Sequence, residues 1–280
     1  FLELQTFAKW FGARTKGFNA EEHWKKKLPS MYHQFKELAD LDITSEAMEV
    51  GPTTHYIMGG IRVDADTQMS TIPGLFAAGE CASGINGANR LGGNSLSDLI
   101  VFGKRAGEYA ATYARENASA RIDDGAVERA TRDVLKPFEA GDQGENPYKV
   151  QADLQDTMQN LVGIVRQESE MQEAVSRIQQ LNERAARVGV SGHREYHAGW
   201  HTSIDVRNLL SISEAIARSA IERKESRGGH FREDYPQKLD EFGTFNIMVK
   251  RGSDGRVQVS RMPIPVMPDY LKEVIEEQKS

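Results

Sequence analysis

Arg90 stands in a loop made almost entirely of small and amide side chains, Gly87-Ala88-Asn89-Arg90-Leu91-Gly92-Gly93-Asn94-Ser95-Leu96. Glycine and asparagine neighbours give a guanidinium nothing to pack into, and its planar fork matches a carboxylate in a two-point pairing. Taken alone, a solvated surface arginine is the better reading. His55, in Thr53-Thr54-His55-Tyr56-Ile57-Met58-Gly59-Gly60, has ring donors to offer a carboxylate, although a lone histidine is more often structural. The run Pro73-Gly74-Leu75-Phe76-Ala77-Ala78-Gly79-Glu80 ends on an acid just before the glycine-rich loop. A strand end, a glycine-rich loop and a helix start together seat a cofactor in many α/β proteins, because backbone approaches closely there and the helix offers free N–H groups. A plain glycine-rich turn explains the same spacing equally well.

Two other groups carry less. His193, His197 and His201 recur every four residues, as metal ligands on a helix do. Gly192 and Gly199 argue against a helix there, and no cysteine or acidic pair completes a ligand set, so no metal site is expected. Cys81 reads as a small buried packing residue.

The elements that must position these groups follow from hydrophobic spacing. Trp24, Leu28, Met31, Tyr32, Phe35 and Leu38 recur at three and four residues, which predicts helix over residues 20–40. Short apolar runs from 59 to 63 and from 75 to 78, separated by Gly, Pro and Asp, read as strands and turns. Asn94 and Ser95 are expected to cap a long helix whose inner face is Leu96, Leu99, Phe102, Ala106 and Tyr109. Segments 126–139, 150–186 and 205–226 are predicted helical, broken by glycine-rich stretches at 141–147 and 188–192. A hairpin is expected in the tail, with Phe245-Asn246-Ile247-Met248-Val249 and Val257-Gln258-Val259 around Gly252-Ser253-Asp254-Gly255.

Composition sets outer bounds. The 280 residues suffice for one large or two modest domains, and 39% hydrophobic with 27% charged residues is an ordinary globular mixture. A formal net charge of −6 gives no reason to expect nucleic acid, and a single cysteine fits a reducing compartment. No apolar run approaches the roughly 20 residues of a bilayer span, so membrane association is expected only through a partner. The start, Phe1-Leu2-Glu3-Leu4, has neither an initiator Met nor a targeting pattern.

Read in order, the His55–Gly60 segment, the Gly79-Glu80 end and the Gly87–Leu96 loop resemble the flavoprotein subunit of succinate dehydrogenase and fumarate reductase, with L-aspartate oxidase a near relative. Arg207-Asn208-Leu209-Leu210 and Glu225-Ser226-Arg227-Gly228-Gly229-His230-Phe231-Arg232-Glu233-Asp234-Tyr235-Pro236 extend the resemblance, which covers roughly residues 25–275. It implies an α/β region followed by a mainly α one: the end of a capping domain over 1–50, the C-terminal part of a Rossmann-like FAD-binding domain over 51–120, a helical domain over 121–240, and a tail of short strands and a helix over 241–280. His55 and Arg90 would hold a dicarboxylate. Glu80 would bond a hydroxyl of the flavin's sugar-like chain, and the backbone at Ser95 and Leu96 would face the pyrimidine edge of the ring of FAD.

Electrons would pass to an iron–sulfur subunit docked on a membrane anchor, at the cytoplasmic face of the membrane. Two departures concern the loop: Asn86 stands where the family usually has histidine, and the stretch from Glu80 to Arg90 is one residue shorter than in the commonest members. No Gly-x-Gly-x-x-Gly follows a strand. The family's nucleotide-binding unit, its flavin-linking histidine and its proton-donor arginine are therefore expected upstream of Phe1, and no catalytic residue is assigned within this chain. The alternatives are an L-aspartate oxidase or, in a different class, a non-catalytic module whose residues 150–226 dock a partner. Residues 1–20, with Trp10-Phe11-Gly12, match nothing placed here.

Overall fold

The computed structural model describes residues 19–48, 54–117 and 122–277. The unplaced segment with Trp10-Phe11-Gly12, the residues around the expected boundaries at 50 and 120, and Thr53 of the histidine segment lie outside them. The chain divides into two compact units, Phe1–Thr54 and His55–Ser280.

In the first unit, helices α1 (Ala20–Lys27) and α2 (Pro29–Ala39) realise the predicted helical stretch in two pieces. Asn19 caps α1 through its side chain, and Pro29 opens α2 at the position where its missing N–H costs nothing. Trp24, Leu28, Met31, Tyr32 and Phe35 are half-buried, whereas Leu38 of the predicted face is exposed.

The second unit begins with an irregular segment. The strand-like runs at 59–63 and 75–78 pair only through isolated bridges, Ile61 with Ala82, Val63 with Ser70 and Met69 with Phe76. A strand needs neighbours along its whole length, and here each run meets one at a single residue. A one-turn 3-10 helix, Gly79–Cys81, leads into the glycine-rich loop and then into α3 (Asn94–Glu116). Cys81 is exposed rather than packed inside. Asn94 and Ser95 are not caps: Gly93, at φ 84°, occupies that position and no side chain closes the turn. The inner face of α3 is also turned from the predicted one. Asp98 is buried, with Phe102, Ala106 and Tyr113 half-buried beyond it, while Leu96, Leu99 and Tyr109 are exposed. Leu96, Leu99, Ile100, Val101 and Phe102 make the start of α3 apolar on most sides, so spacing alone selects no face.

The helical region that follows has its own core. Helices α4 (Asp124–Ala140), α5 (Pro147–Leu161), α6 (Glu168–Ala185) and α7 (Ala198–Glu222) are followed by a hairpin, β3 (Phe245–Arg251) with β4 (Val257–Pro263), and by α8 (Asp269–Glu277). Helices α5, α6 and α7 pack on one another through Val150, Leu154, Met171, Ile178, Leu181, Val206 and Leu210. Each such side chain contributes about 1.5–3 kcal/mol when fully buried. The stretch 150–186, expected as one helix, breaks at 162–167, where Arg166 Nε donates to the carbonyls of Val162 and Gly163 at 3.2 and 2.8 Å. A two-residue parallel pairing, β1 (Val165–Arg166) with β2 (Phe231–Arg232), joins this break to the later loop.

Candidate functional site

The His55–Gly60 segment and the Gly84–Ser95 loop come together. Arg90 is half-buried and its guanidinium lies over the Tyr56 ring, 4.5 Å from the centroid. A cation–π contact of this kind contributes about 0.5–2 kcal/mol and holds the guanidinium over the ring. Its Nη1 donates to the Leu91 carbonyl at 3.2 Å, its backbone N–H reaches Met58 Sδ at 3.2 Å, and its Nε is buried without a partner among the described residues. An unpaired charged donor is costly to bury, so this atom is set up for an anionic acceptor.

Asn86, the departure noted in the sequence, donates from Nδ2 to the Tyr56 hydroxyl at 3.2 Å. The loop and the histidine segment are thereby tied at both ends of one aromatic ring. Glu80 reaches the same segment: its Oε1 accepts from the Ile57 N–H at 3.0 Å, and the carboxylate stays exposed. His55, two residues before Ile57, presents an exposed side chain. A Cβ on Gly79, buried at φ 76°, would meet the Leu99 side chain at Cδ2, 2.6 Å away. The 3-10 turn is thus seated directly on α3. At the α3 start, Asn94 N–H and Leu96 N–H donate to the carbonyls of Leu91 and Gly93 at 3.2 Å each. With no side-chain cap, the helix presents its positive end beside Ser95 and Leu96.

A feature that sequence reasoning missed lies behind the loop. Gly229 N–H donates to the Ala88 carbonyl at 3.0 Å, and Gly228, at φ 60°, is so close that a Cβ there would stand 2.2 Å from the same oxygen. The turn is held from below by an ion network. Glu225, fully buried, accepts from Arg223 Nη1 at 2.7 Å, Arg227 Nε at 2.7 Å, Arg227 Nη2 at 3.1 Å and the Leu239 N–H at 2.9 Å. Burial alone would raise its pKa. The bonds from Arg227, Leu239 and Arg223 outweigh that and bring it down to about 2. Arg232, also fully buried, makes a two-point pairing with Asp234 at 2.7 Å for each bond, and that pairing holds the Asp234 carboxyl down at about 2. His230 bridges Arg166 Nη1 at 2.9 Å and the Arg223 carbonyl at 3.0 Å. Burial pushes its pKa down to about 4, with the neighbouring arginines adding to the effect and the Arg223 carbonyl opposing it. The ring is then neutral, with Nε2–H donating to Arg223 and Nδ1 accepting from Arg166. The motif that marks this turn was visible as a sequence run, but nothing in the run says that it touches a loop 140 residues earlier.

The histidine trio is used differently. His197 caps α7, its Nδ1 accepting from the Trp200 N–H at 3.0 Å and its Nε2 meeting the Ser191 carbonyl at 2.9 Å. The helix doubted at Gly199 does form, with Gly199 buried in its first turn. Among the described residues no three His, Cys, Asp or Glu side chains converge as a metal site.

A 3-10 turn, a glycine-rich loop and an uncapped helix start are the parts of a cofactor cradle, and residues 16–96 match the FAD binding domain family. This is an FAD-binding flavoprotein fold. Residues 151–274 match the fumarate reductase flavoprotein C-terminal family. The chain belongs to the succinate dehydrogenase/fumarate reductase flavoproteins. It is 38% identical over 248 residues to the fumarate reductase flavoprotein subunit of Mycobacterium tuberculosis, covering 86% of this chain and 42% of that protein. The Sdh1 complex of Mycobacterium smegmatis in its apo form superposes with a TM-score of 0.81 at 50% identity, over 91% of this chain and 45% of that one. The quinol fumarate reductase of E. coli does so with a TM-score of 0.77 at 30% identity, over 93% and 48%. The chain thus spans less than half the length of each of these relatives.

Proposed function

We propose that the His55–Gly60 and Gly84–Leu96 segments form one wall of a flavin pocket together with a clamp for a C4 dicarboxylate, in a protein that interconverts succinate and fumarate. The observation that carries this reading is Arg90, stacked on Tyr56 with a buried Nε that lacks an acceptor. A carboxylate supplies that acceptor, and the fork binds it in two-point geometry. His55, exposed and next to Tyr56 in the sequence, is assigned the second carboxylate as a donor. With both ends held, the central carbons of the substrate are fixed in place, which removes much of the entropic part of the barrier.

The donor set fits FAD. Glu80 keeps one oxygen available for a hydroxyl of the flavin's sugar-like chain while the other holds Ile57, and the α3 start at Ser95 and Leu96 favours negative charge at the pyrimidine edge by about 0.3–2 kcal/mol. When bound, FAD supplies the hydride acceptor or donor. No residue of this chain is assigned a proton-transfer role. In this reading residues 1–50 close a capping domain, 51–120 complete the FAD-binding domain, 121–240 form the helical domain and 241–280 the tail. The quinol in a relative's name supports onward electron transfer through an iron–sulfur subunit to a quinone, with the protein peripheral at the cytoplasmic membrane face. No described helix is long and apolar enough to cross a bilayer.

Arg90→Lys tests the clamp in the FAD-loaded protein. An ammonium cannot reproduce the fork, so succinate kcat/KM should fall by about 100-fold or more. Near-normal succinate kinetics would contradict the assignment, and turnover of aspartate in place of succinate would favour the L-aspartate oxidase alternative.

A further inference from the structure

We propose that the Gly228–Gly229 turn is a positioning element for the substrate loop, setting the height of the Ala88–Arg90 backbone and with it the Arg90 guanidinium. The inference rests on the reading of Arg90 as a dicarboxylate ligand. Three observations support it. Gly229 N–H bonds the Ala88 carbonyl at 3.0 Å, two residues before Arg90. Gly228 adopts φ 60°, which side chains disfavour, and its missing Cβ is what lets the turn approach: a Cβ would lie 2.2 Å from Ala88 O and 2.8 Å from Ala88 Cβ. The turn itself cannot yield, because Arg227 is held by buried Glu225 and by the Leu239 carbonyl at 2.7 Å, and the next residue, His230, is locked between Arg166 and Arg223.

Within the loop, Arg90 Nη1 and the Asn94 N–H both bond the Leu91 carbonyl, on the far side of Arg90 from Ala88. A Cβ at Gly84, Gly87, Gly92 or Gly93 would meet nothing within 4 Å, so those positions are open on that side. Among the described residues, Tyr56 and Met58 hold the loop on one side, and the Gly228–Gly229 turn meets it at Ala88. The helical region thereby sets the geometry of a clamp to which it gives no ligand, and a displacement of about 1 Å at such a group is enough to change rates greatly.

The test compares three variants of the FAD-loaded protein. Gly228→Ala pushes on Ala88, Arg227→Lys softens the turn without adding bulk, and Gly255→Ala places comparable backbone strain in the β3–β4 turn, where a Cβ meets nothing within 4 Å. Gly228→Ala should raise the succinate KM and the dissociation constant of malonate, a non-reacting dicarboxylate, by about ten-fold, with flavin content unchanged; Arg227→Lys should raise both by about three-fold. Gly255→Ala should change neither. Wild-type KM in a folded, flavin-loaded Gly228→Ala, or an equal rise in Gly255→Ala, overturns the proposal. If Gly228→Ala does not fold, Arg227→Lys decides, and an unchanged KM overturns it.

Amide hydrogen exchange over residues 86–92, measured without any dicarboxylate, separates this inference from the reading beneath it. Faster exchange in Gly228→Ala and Arg227→Lys supports the buttress whatever the loop binds, and unchanged exchange in both removes it. Failure of the clamp itself would show instead as normal succinate kinetics in Arg90→Lys.

Discussion

Residues 55–116 and residues 124–277 treat buried polarity in opposite ways. In the second region Glu225 and Arg232 are fully buried, and every polar group of both finds a partner close by. In the first, Asp98 is buried with neither carboxylate oxygen bonded, Gln68 Oε1 and Arg90 Nε are unpaired, and Leu96, Leu99 and Ile100 face outward. Among the described residues of the second unit, every unpaired buried side-chain atom falls before residue 99. Buried polar groups in native proteins are almost always satisfied. The helical region is therefore a self-satisfied scaffold, while the loop region keeps buried donors and acceptors without partners among the described residues, as the proposed site requires.

The largest expected effect tests the scaffold side. Arg232→Ala leaves Asp234 without its cation, takes one cation from Glu168, which keeps Lys224 at 3.1 Å, and removes the donor to the Ala220 carbonyl at 2.9 Å. Breaking a buried pair of this kind costs about 3–5 kcal/mol, so the urea midpoint should drop sharply or the protein should not fold. A midpoint within experimental error of wild type would remove the contrast between the two regions. On the open side the expectation is a loss of ligand rather than of fold. Glu80→Ala should weaken flavin retention by about ten-fold, close to 1.4 kcal/mol, as read by flavin absorbance after gel filtration, with the succinate KM at saturating FAD nearly unchanged. A KM effect larger than the flavin effect would reverse the assigned role.

The same contrast explains what could be read from the sequence. Helix-forming spacing around Trp24 and Phe35, and the turn at Gly252–Gly255 between two β-branched runs, are local signals, and the corresponding helices and hairpin are present. The glycine-rich loop and its arginine were legible as a unit because they sit in one short ordered stretch, and the loop does meet the Tyr56–Met58 segment. The break between α5 and α6 was not. Apolar spacing runs on through Met158, Leu161 and Val162, and the turn is made by Arg166 folding back on the carbonyls of Val162 and Gly163. The inner face of α3 was not legible either, since its apolar residues lie on most sides of the helix and the buried position is taken by Asp98. The contact between Gly228 and Ala88 joins positions 140 residues apart, and glycine spacing carries no information about which distant carbonyl a turn will meet.

The smallest expected effect concerns acid sensitivity, and it belongs to the helical region. His230 faces Arg166, Arg223 and Arg232, and its folded pKa of about 4 lies below the ordinary 6.5. The unfolded chain therefore binds a proton that the folded one refuses between pH 6.5 and 4. Stability is full above that window, falls as pH drops through it, and falls no further on this account below pH 4. Glu225 and Asp234, lowered to about 2 from 4.5 and 3.8, add a separate loss as pH falls below those ordinary values. His230→Gln keeps a donor for the Arg223 carbonyl and an acceptor for Arg166 but does not titrate. Between pH 7.5 and 5 the wild type should lose about 1–2 kcal/mol more than this variant, since His230 is only half-buried and solvent screens part of the difference. Urea midpoints at the two pH values measure it. Equal losses in both proteins would mean that the ring does not hold its neutral form in the folded state, and that the turn behind Ala88 is less tightly locked than its hydrogen bonds imply.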